Sequence, residues 1–166
     1  MNLTGQTVRP KKGRPEERKK DKTARAKGQR QPRVIDKAYK GVIATLPSIL
    51  SGGGPCEVVH VRYGSPAHDK RPTGMQEKPS DMWCLPLTSA EHREGKNAQH
   101  STNERMWWAA QCIDPLQACK DLHAVYTDPD YDETQRHTRM VTVIAAHRAL
   151  GQIRRETQEE TNGPAT

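Results

Sequence analysis

Of the four histidines between Cys56 and His100, three, His60, His92 and His100, stand in an arrangement that no other stretch repeats. His60 stands in the run E-V-V-H-V-R-Y, and a Gly/Pro/Lys-rich loop follows it. A second extended run, M-W-C-L-P-L, leads into a helix start holding His92, with His100 shortly after. Imidazole exchanges protons near neutral pH and ligates divalent metals, so acid–base or metal-assisted chemistry is what such a set offers. His68, His123, His137 and His147 show no ligand-like spacing with each other.

These side chains need a scaffold, and the pattern of residues supplies one. Residues 34–46 place Val34, Ala38, Val42 and Leu46 at helical spacing, and Pro47 ends that helix. Glu57 to Tyr63 is rich in β-branched residues and reads as a strand, with Val58, His60 and Arg62 on one face and Val59, Val61 and Tyr63 on the other. Residues 64–80 form a polar loop, and Met82 to Leu87 a short strand that Pro86 assigns to an edge. Thr88-Ser-Ala-Glu91 and Ser101-Thr-Asn-Glu104 are capping boxes that open helices. Asp114-Pro115 starts a further helix over 115–125, and a last one runs near 133–156 with Met140, Val143, Ile144, Leu150 and Ile153 as its apolar stripe. Trp107 and Trp108 read as core, because the chain has no Phe and few other large apolar groups.

Charge divides the chain unevenly. Of its 27 Lys/Arg and 20 Asp/Glu, residues 1–40 hold 14 and 4, a local balance of +10, leaving 13 and 16, or −3, for the rest. The segment 1–33 has too few apolar residues to order itself and reads as a disordered basic arm that binds nucleic acid through residues such as Lys11, Lys12, Arg14, Lys19 and Lys20. Residues 34–125 form the functional domain, and 126–166 a C-terminal helix and tail. With 33% apolar residues the core is small. No apolar run is long enough to span a membrane, and the N-terminus has no signal-like apolar segment, so a cytoplasmic protein with free thiols at Cys56, Cys84, Cys112 and Cys119 is expected.

The residues L-P-S-I-L-S at 46–51, E-V-V-H-V-R-Y-G at 57–64, G-M-Q-E-K-P-S-D-M-W at 74–83, L-P-L-T-S-A-E-H at 85–92, Q-H at 99–100 and N-E-R-M-W-W at 103–108 resemble the HNH endonuclease superfamily. The closest likeness is to its phage recombination-enhancement nucleases, over roughly residues 33–125. The resemblance implies an α+β fold built on a small ββα-metal domain with flanking helices. It also implies metal-dependent hydrolysis of DNA phosphodiester bonds, by an endonuclease or nickase of phage or prophage type acting in recombination or DNA processing. Carried over by position, His60 is the general base and Asp81 holds the loop and orients it. His92 and His100 bind a divalent ion such as Mg²⁺, Mn²⁺ or Zn²⁺. Apart from the resemblance, Arg62, Lys70, Arg71 and Lys78 around the loop are candidates to contact phosphate, with a run of solvated charges as the alternative. DNA is then the partner, a recombinase a candidate second one, and a small-molecule substrate is not expected.

Three departures from the superfamily pattern carry physical content. Many relatives hold a structural zinc on two C-x-x-C pairs, whose positions are here Ser48, Ser51, Thr88 and Glu91; hydroxyls do not replace thiolates, which implies a domain that dispenses with that ion. The residue before the catalytic histidine, often a ligand, is Val59. His92 and His100 are eight residues apart, about 12 Å of rise on a continuous helix, so the chain must break and fold back over Glu94 to Asn97 for both to reach one ion. A non-catalytic DNA-binding protein on a degenerate HNH fold is the alternative, and an RNA- or ribosome-associated protein a third.

Overall fold

The computed structural model describes residues 33–74 and 77–161. The basic arm, with Lys11, Lys12, Arg14, Lys19 and Lys20, lies outside the described residues. The described chain is mixed α+β: one antiparallel pair of strands, four α-helices and three short helical turns. None of these helices is long and apolar enough to cross a membrane.

The first helix, α1 (Lys37–Thr45), begins three residues later than the periodicity predicts. Asp36 takes the N-cap, its Oδ1 accepting the Tyr39 N–H at 2.8 Å. The buried face is therefore Tyr39 and Ile43, continued by Leu46, while Val34 and Ile35 are 59% and 62% exposed and lie outside the helix. A cap bond and a large aromatic outweighed the weaker Val34–Ala38–Val42 stripe.

Strand β1 (Cys56–His60) pairs with β2 (Cys84–Thr88) in a register that sets His60 opposite Cys84 and Cys56 opposite Thr88. One further bond, Val61 N–H to Trp83 O at 2.9 Å, extends the ladder past His60. Val59 and Val61 are buried, and Val58, His60 and Arg62 face outward, as period two requires. Pro86 costs β2 no ladder partner, because β2 has β1 on one side alone, and its carbonyl accepts the Ile49 N–H. The strand is nonetheless buried from Cys84 to Leu87. It joins one core with Tyr39, Ile43, Trp108, Leu116, Leu122, Met140 and Ile144.

After β2 the Thr88–Glu91 box forms: Glu91 Oε2 accepts the Thr88 N–H at 2.8 Å, and Thr88 Oγ1 lies 3.3 Å from the Glu91 N–H. The box opens a single wide π turn, Ala90–Glu94, in place of a full helix. Gly95 closes it, its N–H on Ala90 O at 3.0 Å. A Cβ at Gly95 would sit 2.8 Å from that carbonyl oxygen, so glycine is required by the close approach.

Helix α2 (Glu104–Ala110) is capped by Asn103, not by the expected Ser101. Asn103 Oδ1 takes the N–H groups of Arg105 and Met106, while Ser101 lies in a short turn and donates to Ala98 O at 2.6 Å. Trp107 and Trp108 are buried, and Trp107 Nε1 donates to Asn97 O at 2.7 Å. Helix α3 (Pro115–Thr127) starts at Asp114 as its sequence dictates. Helix α4 (Glu133–Thr161) runs longer than expected and buries Met140, Ile144 and Gly151, while Leu150 and Ile153 are 49% and 57% exposed.

Candidate active site

Asp81 is fully buried just before β2, at the end of the polar loop, and accepts four hydrogen bonds. Oδ1 takes Arg33 Nη2 at 2.7 Å and His60 Nε2 at 3.0 Å; Oδ2 takes Lys40 Nζ at 3.1 Å and the Asp36 N–H at 3.0 Å. Burial alone would raise this carboxyl, but the bonds from Arg33, His60, Lys40 and Asp36 hold it well below the usual carboxylate range. An ionised carboxylate can only accept, so the proton on the shared axis belongs to His60 Nε2 and the lone pair to His60 Nδ1. His60 is itself pushed below its ordinary value by burial, which the Asp81 contact offsets only in part while Arg33 and Lys40 add to it. The ring is thus a neutral base of fixed tautomer near pH 7.

His92 and His100 meet. The wide turn and Gly95 reverse the chain, and Trp107, gripping Asn97 O, holds the returning segment against α2. The two Nε2 atoms lie 2.8 Å apart, with ring centroids at 4.5 Å. Glu57 completes the set: one carboxylate oxygen lies 2.5 Å from His92 Nδ1, and the other accepts from Arg93. The His92 hydrogen bond holds the Glu57 carboxyl below its usual value. His92 Nδ1–H donates to Glu57, which turns the His92 Nε2 lone pair towards His100, and His100 offers a lone pair to the same point when its ring proton sits on Nδ1. Burial and the neighbouring His92 push His100 below its ordinary value.

Among the described residues no three His, Cys, Asp or Glu side chains are grouped to hold an ion. Two convergent imidazoles with a carboxylate behind one of them do fit a divalent ion of open coordination, since a carboxylate on the far ring nitrogen fixes the tautomer a ligand needs. Such an ion would be held by His92 and His100 and would leave positions for water and phosphate oxygens. Neutral imidazole favours Zn²⁺ or Mn²⁺ over Mg²⁺.

His60, His92 and His100 line one open cleft of about 540 Å³, with Arg33, Lys40, Arg62 and Lys78 also on its walls. The expected phosphate contacts separate here. Arg62 and Lys78 are exposed on the cleft. Arg71 is exposed but doubly hydrogen-bonded to Glu77. Lys70 departs from the expectation: it is 4% exposed, its Nζ donates to Tyr63 O at 2.5 Å and Arg62 O at 3.3 Å, and it lies 5.7 Å from the Trp83 ring. It ties the loop together and has no free face for a phosphate.

Three cleft residues, Arg33, Lys40 and Glu104, and Glu57 behind His92 carry no sign of their role in the sequence. Arg33 and Lys40 were counted only as part of the basic excess, although they are Asp81's counter-charges. Glu57 falls in strand alternation with Val59, on the face opposite His60, so no periodicity marks it as a histidine partner. Glu104 accepts the Arg62 N–H on both oxygens, at 3.0 and 3.1 Å, and joins α2 to the end of β1; burial raises its carboxyl.

No protein-family model, curated protein or solved structure matches the chain.

Proposed function

We propose that this chain is a metal-dependent DNA endonuclease or nickase with an HNH-type ββα-metal site, working in phage or prophage DNA recombination or processing. One observation carries the reading: a neutral His60, fixed through Nε2 by the buried Asp81 carboxylate, shares a cleft with the convergent Nε2 atoms of His92 and His100. His60 Nδ1 takes a proton from water, whose oxygen bonds to phosphorus as the bond to the leaving sugar oxygen breaks. A divalent ion at His92 and His100 would stabilise charge on the phosphate and on that leaving oxygen. Asp81 stabilises the imidazolium formed, and Arg62 and Lys78 hold the flanking backbone by charge.

A second reading, a DNA-binding protein without catalysis, draws support from the two-nitrogen donor set: Val59, one residue before His60, is 3% exposed and offers no ligand. Plasmid DNA incubated with the full chain and Mg²⁺, Mn²⁺ or Zn²⁺, beside His60→Ala, separates the two. The enzyme nicks or linearises the plasmid, and His60→Ala loses roughly 10²–10⁴-fold in rate while binding DNA as before. Binding without cleavage in any metal supports the second reading.

A further inference from the structure

Two segments far apart in sequence are joined one residue before His92. Ser48 is fully buried in the turn between α1 and β1, and its hydroxyl donates to Glu91 Oε2 at 2.6 Å. The same Ser48 oxygen accepts the Leu50 and Ser51 N–H groups at 3.1 and 3.4 Å. Glu91 Oε2 also accepts the Thr88 N–H at 2.8 Å, and the Ser51 hydroxyl accepts the Gly53 N–H at 3.2 Å within the same turn. The Ser48 N–H meets Gly53 O at 2.8 Å, and Ile49 N–H meets Pro86 O at 3.2 Å, so the 48–53 turn is fastened to β2 along its length.

The resemblance implies that these four side chains stand where a Cys-ligated domain would carry its two Cys pairs. They do not fit a structural zinc, which takes thiolates and imidazoles in a closed tetrahedral set. Glu91 is the one anion among them, and its Oε2 already accepts from Ser48 and Thr88. A carboxylate ringed by hydroxyl and amide donors is a strong hydrogen-bonding centre in its own right.

We infer that Ser48, Ser51, Thr88 and Glu91 form a metal-free staple that fastens the 48–53 turn to the end of β2, the task a structural ion performs in a Cys-ligated domain. The inference concerns the fold around residues 48–91 and stands apart from the nuclease reading. It divides the metal dependence of the protein: any ion acts in the cleft, and none is needed to hold this part of the chain.

The test is thermal unfolding of the full chain, with and without a strong chelator, in a His100→Ala background that removes the cleft's own ion contribution. The expected result is a midpoint that chelation does not move. Glu91→Gln and Ser48→Ala are each expected to lower it by roughly 5–10 °C, the size set by losing a charge-assisted bond and leaving its partner unsatisfied. A variant with Ser48→Cys, Ser51→Cys, Thr88→Cys and Glu91→Cys should take up one Co²⁺ per chain with thiolate charge-transfer absorption, and its midpoint should then fall on chelation. A wild-type staple that melts earlier with chelator would overturn the inference. So would unchanged midpoints for both single variants, and absence of cobalt uptake would show that the four positions do not form one site.

Discussion

His60 Nε2 lies 3.0 Å from Oδ1 of Asp81, a carboxylate with no exposed surface and with Arg33 and Lys40 as its counter-charges. A buried anion of this kind does two things at once. It sets which nitrogen of His60 is basic, and it anchors the start of α1 to the loop before β2.

Replacing that anion tests both roles. Asp81→Asn leaves Arg33 and Lys40 without a counter-charge and should cost about 3 kcal/mol, the low end for breaking a buried pair because both cations are partly exposed. The folded-state pKa of Asp81 is depressed, so its contribution is complete above about pH 5 and is lost as pH falls through the ordinary carboxylate value towards the folded one. Urea unfolding from pH 7 down to pH 3 should therefore show wild type and Asp81→Asn converging.

Activity should follow the neutral form of His60. Burial lowers its pKa, so the acid limb of kcat/KM against pH should have its midpoint below about 6.5, and cleavage should persist into mildly acid buffer. Arg33→Met removes one of the cations that lower His60 and should move this limb upward. A limb that ignores Arg33 would detach the pH dependence from this histidine.

Glu57 acts through His92. Glu57→Gln still reaches His92 Nδ1 but no longer offers a charged acceptor, and should weaken Mn²⁺ or Zn²⁺ binding by about 10–100-fold, read by calorimetry on the metal-free protein. His100→Ala should weaken it at least as much. Equal affinities across wild type, Glu57→Gln and His100→Ala would place the ion elsewhere.

Salt dependence separates the lysines. Lys78→Ala should reduce the log–log salt slope of duplex binding by about 0.9, one phosphate contact, with stability unchanged. Lys70→Ala should leave the slope alone and lower stability by about 1–3 kcal/mol, because the carbonyls of Tyr63 and Arg62 lose their donor. Deleting residues 1–32 should flatten the slope by several such increments, measured as affinity at a series of salt concentrations.

Much of the scaffold is legible in the residues themselves. Strand alternation places Val59 and Val61 inside and His60 outside, Asp114-Pro115 starts a helix, and Thr88 and Glu91 form their box, because each depends on neighbours a few positions away. The eight-residue gap between His92 and His100 requires a chain reversal if the two are to meet, and the chain turns at Gly95, where a Cβ would sit 2.8 Å from Ala90 O.

Other features depend on contacts from 7 to 48 residues apart, and local pattern carries no trace of them. Lys70 reads as a surface cation until Tyr63 and Arg62 turn their carbonyls towards it, and Leu150 and Ile153 read as core until α4 packs through Met140, Ile144 and Gly151 instead. Asp81 is marked in the sequence by the resemblance alone; it becomes the hub of the site because Arg33, Lys40 and His60 arrive from two other segments. Glu57 and His92, 35 positions apart, pair because β1 lies against β2 in a register that brings Cys56 beside Thr88, and with it the turn that follows. Residue types fix which groups can exchange protons or bind metal. Which nitrogen holds a proton, and which ion faces it, is decided by burial and by long-range charge, and these exist only once the chain has folded.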